Sequence, residues 1–167
     1  MADWLSSIAQ KFYTAFIKAD RWKLYVKGLG YTMEISAFAA LLGIVLGTIV
    51  ALMKLSHTRS GKPTVWAHIA DIYIDIIRGT PSVLQLLIMW CVIMVSSKNG
   101  VLVSIITFGI NSGAYVAEII RSGILAVDKG QTEAGRAMGL SQAQTMAYIV
   151  LPQAFKNALP PIGNEFI

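Results

Sequence analysis

Three strongly apolar stretches of the chain carry no charged residue, at 35–53, 79–97 and 99–117, each 19 residues long. A helix rises about 1.5 Å per residue and the hydrocarbon core of a bilayer is about 30 Å thick, so each run predicts one membrane-crossing helix. The turn around Ser96, Ser97, Lys98, Asn99 and Gly100 predicts an antiparallel hairpin of the second and third. Ahead of the first run, Trp4, Ile8, Phe12 and Phe16 recur every four residues, with Lys11, Lys18 and Asp20 on other faces. That period predicts an amphipathic segment over 1–27, lying in the membrane interface or packed as a short soluble helix. Residues 64–77 place Trp66, Ile69, Tyr73 and Ile76 at helical spacing and predict a second surface or interfacial helix. Its Asp71 and Asp75, one turn apart, suit a solvated helix face better than a metal or acid–base site.

Composition agrees with a membrane protein. The chain of 167 residues is 55% hydrophobic and 14% charged, against about a quarter charged in soluble domains. Mean hydropathy is +0.61. The net charge of +5 lies outside the apolar runs, which points to membrane lipid as a partner and not to nucleic acid. Charge sets the orientation only weakly: eight Lys and Arg fall at 54–78 and 121–156, against six on the other side. The bias places the N-terminus in the periplasm. Met1-Ala2-Asp3-Trp4 does not open a signal peptide, and the single Cys91 can form no disulfide or cysteine metal site within the chain.

Catalytic patterns are missing. There is no phosphate-binding Gly-x-x-x-x-Gly-Lys loop, and Gly28-Leu29-Gly30 reads as helix-entry flexibility. His57 in a loop and His68 on a surface helix have no companion ligands, and Ser141 has no His and acid arranged with it. No enzyme activity, metal or cofactor is expected.

Other residues point to packing or to a solute path. Gly43 and Gly47 form a small-xxx-small pattern that lets helices approach closely. Pro81 is suited to the first turn of the second span, with Arg78 in the headgroup layer. Asn111-Ser112-Gly113, about two thirds along the third run, suits either interhelical hydrogen bonds or a polar path. Beyond residue 117, Glu118 and Arg121 can pair on one helix face, Asp128-Lys129-Gly130-Gln131 breaks the pattern, and a polar helix-prone region covers 132–154.

In that region Glu133-Ala134-Gly135, three residues, Gly139, nine residues, then Ile149-Val150-Leu151-Pro152 resembles the EAA loop of ABC importer permeases, with Gly135 where the family usually has alanine. Arg78-Gly79-Thr80-Pro81 with Gln85-Leu86, Asn111-Ser112-Gly113-Ala114-Tyr115 with Glu118, Lys129-Gly130-Gln131, Leu151-Pro152-Gln153-Ala154 and Asn164-Glu165-Phe166 resemble its polar amino-acid branch. The resemblance runs from about Gly28 to the end.

It implies an all-α integral membrane protein with the type I ABC importer permease fold, in the bacterial cytoplasmic (inner) membrane as a multi-pass subunit. The implied partners are ABC ATPase subunits, a second permease subunit, identical or different, and a periplasmic or lipid-anchored amino-acid-binding protein. Glu133, Ala134, Gly135, Arg136, Gly139 and Leu140 are the expected ATPase-coupling residues, within a loop over about 121–157. The bland reading of Gly135 and Gly139 is that they end short helices. Asn111, Ser112, Thr80 and Glu165 are the expected substrate-path residues, Glu165 being equally suited to packing at a helix start. Alternatives are a permease for another small polar solute such as an opine or cystine, or a non-transporting scaffold. The apolar ending from Pro160 resembles the beginning of a fourth span, so the transmembrane domain over 28–167 is expected to be incomplete, with three full helices, and unable to transport alone.

Overall fold

A computed structural model describes residues 2–56 and 62–165, with side chains from Trp4 onward. His57 and Phe166 lie outside the described residues, and every regular element among the latter is helical.

Helix α1 (Ala2–Phe12) is continued by a π-helical turn (Tyr13–Ile17) and a 3-10 turn (Lys18–Asp20). Trp4, Ile8, Phe12 and Phe16 are all exposed. The chain then bends, because Ala19 and Asp20 both take the left-handed φ of 56°. The Phe16 ring joins this elbow to the next helix, 4.8 Å from Phe12 and 4.9 Å from Tyr25 between centroids.

Helix α2 (Trp22–Lys54) has 33 residues, about 50 Å at helical rise. It starts well before the apolar run at 35–53, so Gly28 and Gly30 lie inside it and do not loosen its entry. Helix α3 (Val65–Arg78) begins at Thr64, whose hydroxyl accepts from Ala67 N–H at 3.3 Å. It packs through Ala67, Ala70 and Ile74, while Trp66, Ile69 and Ile76 stay exposed. Most of the apolar stripe that predicts a surface or interfacial helix is thus exposed, and small side chains turn inward beside it.

The run at 79–97 does not form one helix. Residues 79–81 break the chain, and α4 (Ser82–Ile88) with a π-helical turn (Met89–Ile93) continues at 101° to α3. Pro81, at φ −57° and ψ 135°, precedes the first helical residue instead of being it. Helix α5 (Gly100–Leu125) starts at Asn99, whose side chain accepts from Leu102 N–H at 3.1 Å, and runs past the apolar limit at 117. Among the described residues two helices, α2 and α5, are long and apolar enough to cross a membrane, or three elements if the bent α3–α4 pair counts as one.

Helix α5 is the centre of the fold, with α2, α3 and α8 packed on it. Where α2 crosses it, a Cβ on Gly43 would meet Ser112 Cβ at 2.8 Å and one on Gly47 would meet Val116 Cβ at 2.6 Å. Ala51, Ile74 and Ala117 continue that contact into a small core. Beyond α5 come α6 (Lys129–Ala137), α7 (Gln142–Thr145) with a π-helical turn (Met146–Val150), and α8 (Leu151–Glu165). Helix α8 runs without interruption through Pro160 and Pro161. The helix expected to begin at Pro160 is thus the continuation of one that starts at Leu151, and Ala154 and Ala158 hold it against Gly123 of α5.

Candidate functional site

The break between α3 and α4 leaves carbonyls without the usual donor four residues on, and Gln85 donates to two of them. Its Nε2 donates to Ile77 O at 2.7 Å and Thr80 O at 2.9 Å, and its Oε1 accepts from Asn111 Nδ2 at 3.1 Å. Gln85 is buried, so this pairing offsets the cost of placing an amide in an apolar wall. Tyr73 makes a parallel tie from α3, its hydroxyl donating to Ile110 O at 2.6 Å.

Two clefts flank this joint and share Asn111 and Glu165. One, about 510 Å³, is lined by Thr32, Ser36, Phe108 and Ser112 among others. The other, about 420 Å³, is lined by Arg78, Thr80, Pro81 and Tyr115. The fold therefore gathers Asn111, Ser112, Thr80 and Glu165 around adjoining space. Ser112 is also buried against Gly43, and the Thr80 hydroxyl donates to Ile76 O at 2.6 Å. Arg78, assigned from sequence to the headgroup layer, lines the smaller cleft with its guanidinium 5.1 Å from the Tyr115 ring centroid. Gln85 and Tyr115 were likewise not singled out as site residues; the available signal was a lone amide inside a charge-free run.

Below the clefts, four charges join three helices. Lys54 Nζ at the end of α2 lies 3.1 Å from Asp71 of α3 and 3.1 Å from Glu118 of α5. Arg121 completes the set by donating from Nε to Glu118 at 3.0 Å. Two positive and two negative groups balance, which lets them sit partly buried beside apolar helices. Asp71 is thus committed to Lys54 and is not merely a solvated acid. Among the described residues no group of three His, Cys, Asp or Glu side chains converges as a metal site.

The EAA region folds as a helix–turn–helix. Asp128 caps α6 by accepting from Gly130 N–H at 2.7 Å. The helix ends with Leu140 N–H donating to Gly135 O at 3.1 Å and Gly139 N–H to Arg136 O at 3.0 Å, the paired bonds of a Schellman turn, in which Gly139 takes φ +87°. Ser141 and Gln144 then cap α7 reciprocally. Glu133, Ala134, Arg136 and Gly139 are exposed and Leu140 is half-buried. Gly135 faces the other way: it is buried, and a Cβ there would meet Thr145 Cγ2 and Ile149 Cδ1 at 2.8 Å. It belongs to the inner face of the unit and not to the expected low-profile outer surface. Met138, outside the expected coupling residues, is 82% exposed beside them.

Residues 43–167 match the family described as Binding-protein-dependent transport system inner membrane component. The arginine transport system permease protein ArtQ of Bacillus subtilis (strain 168) is 41% identical over 145 residues, 85% of this chain and 64% of the relative. The L-cystine transport system permease protein TcyB of the same organism is 37% identical over 155 residues, 90% of this chain and 63% of the relative. The chain therefore spans less than two thirds of the length of these curated relatives. The crystal structure of an amino acid ABC transporter with histidines superposes with a TM-score of 0.78 at 38% identity, covering 95% of this chain and 69% of that one.

Proposed function

The chain belongs to the family of binding-protein-dependent transport system inner membrane components, and from that premise we propose that it is the permease subunit of an ABC importer for polar amino acids. The observation that carries the substrate class is the smaller cleft, where Arg78 and Glu165 line one cavity of about 420 Å³. A free amino acid has a carboxylate and an ammonium, and this cleft offers a group of opposite sign to each. Asn111, Ser112 and Thr80 supply neutral hydrogen-bonding groups around them. Curated relatives named for arginine and for cystine support an amino-acid cargo and leave its side chain open.

Coupling falls to the exposed side of α6. Glu133 and Arg136 offer charged contacts, and Ala134 leaves a low profile beside Met138. Leu140 adds an apolar edge, and Gly139 sets the turn between helices. An ABC ATPase docking there would bias the permease between two access states through contacts that differ between them. A second permease subunit completes the pathway, and a periplasmic or lipid-anchored binding protein delivers the cargo. The site lies in the bacterial cytoplasmic membrane, with the α1 segment resting in the interface.

The test is ATP-driven uptake of labelled arginine and glutamine by vesicles carrying the assembled transporter. Both should accumulate, and Glu165→Gln should reduce arginine uptake at least about tenfold, as expected for one lost charge-assisted hydrogen bond. No ATP-dependent accumulation of any amino acid would sink the proposal.

A further inference from the structure

Both ends of the Gln85 side-chain amide are committed. Its nitrogen donates to the carbonyls of Ile77 and Thr80, at 2.7 and 2.9 Å. A backbone carbonyl can only accept, so these contacts decide which end of the amide is nitrogen, a choice that amide shape alone leaves open. The oxygen is then the atom facing Asn111, and it accepts from Asn111 Nδ2 at 3.1 Å. Asn111 has spent its nitrogen on Gln85 and retains its oxygen. Among the described residues nothing donates to that oxygen, and Asn111 lines both clefts.

We propose that Gln85 is a positioning residue that sets the polarity of the cleft, holding Asn111 so that its oxygen, together with the Glu165 carboxylate, receives the ammonium of an amino-acid substrate. The inference rests on the amino-acid reading above. The ordering begins at the helix break: two carbonyls orient Gln85, Gln85 orients Asn111, and Asn111 shows the cleft an acceptor. A reversed Asn111 amide would present N–H donors to the ammonium and replace attraction with repulsion.

The experiment measures uptake kinetics in vesicles containing the assembled transporter, with labelled arginine and labelled glutamine as probes. Gln85→Leu releases Asn111 and should raise KM for both probes at least about tenfold, with kcat within about twofold of wild type. Gln85→Met, close in length and shape to the original, gives the same reading should the leucine variant not assemble. Gln85→Glu is the conservative control. Burial keeps the new carboxyl neutral, so it still donates to one carbonyl and still accepts from Asn111, and KM should stay within about twofold. A KM that is unmoved in the apolar variants, with kcat alone reduced, would assign Gln85 to bracing the break and overturn the proposal. So would a glutamate variant whose KM rises as far as that of the leucine variant. If the wild-type protein accumulates no amino acid at all, the amino-acid reading fails and this inference falls with it. Uptake by wild type with KM unmoved by Gln85→Leu defeats this inference alone.

Discussion

The crossing of α2 with α5 and the turn between α6 and α7 both depend on glycine, and they depend on different properties of it. At the crossing, Gly43 and Gly47 provide room: a Cβ on Gly47 would stand 2.6 Å from Val116 Cβ and 2.9 Å from Gly113 O, inside contact distance of atoms that cannot swing away. At the turn, a Cβ on Gly139 would meet nothing within 4 Å, and the residue is needed for its φ of +87°. One site rejects volume and the other rejects handedness. Gly135 stands between them, with neighbours at 2.8 Å that are side-chain tips. A motif written as a row of small residues therefore hides several physical demands.

Substitutions can break the comparison in order of expected effect. Gly47→Leu should cost the most, about 3 kcal/mol, because overpacking a tight helix contact forces backbone apart; thermal unfolding of the purified protein in detergent should show a large fall in Tm. A Tm within a degree of wild type would mean that the crossing is looser than its distances imply. Gly135→Leu should cost about 2 kcal/mol by the same route, softened because the Ile149 tip can rotate. Limited proteolysis between residues 125 and 150 should accelerate, and ATPase coupling should weaken, while the α2–α5 contact persists. Gly139→Ala should cost about 1 kcal/mol through left-handed strain alone, read as faster hydrogen exchange of the Leu140 amide. Gly139→Asn sharpens the contrast, since asparagine tolerates the left-handed region and should recover most of the loss despite its greater bulk. If asparagine is worse than alanine, volume matters at the turn after all.

Much of the architecture was legible from pattern. The period over 64–77 anticipated α3 to within a residue at either end, since Thr64 is a strong cap and Arg78 precedes glycine and proline. The charge-free runs located the two long helices, though not their ends. Helix α2 continues back to Trp22 because two isolated glycines, at about 1 kcal/mol each relative to alanine, do not stop an otherwise strong helix. The 101° bend was illegible for a simple reason: absence of charge reports the environment of a segment and says nothing of its direction. The inward face of Gly135 was equally hidden, because rotation about the α6 axis is decided by Thr145 and Ile149, which belong to the next helical segment. Residues 64 apart in the chain, Lys54 and Glu118, meet only once α2 and α5 have crossed. Of the proposed site, Asn111 and Ser112 were visible as polar groups in an apolar run, whereas Glu165 was reached through the family resemblance. Gln85 was visible only as part of a motif, since its hydrogen bonds depend on which carbonyls the helix break sets free.

The length of α2 constrains how the protein sits in its bilayer. A rod of about 50 Å in a hydrocarbon slab of about 30 Å would be wholly immersed only at an inclination of over 50°, beyond the roughly 0–40° that membrane helices adopt. Some 10 Å of the helix, about two turns, must therefore stand clear of the lipid tails, and its N-terminal end is suited to that position. Trp22, Lys23 and Lys27 occupy that end, where an indole ring and two ammonium groups are at home among phosphates. Helix α1, joined there by its elbow, can then spread flat along the surface like the foot of an anchored mast.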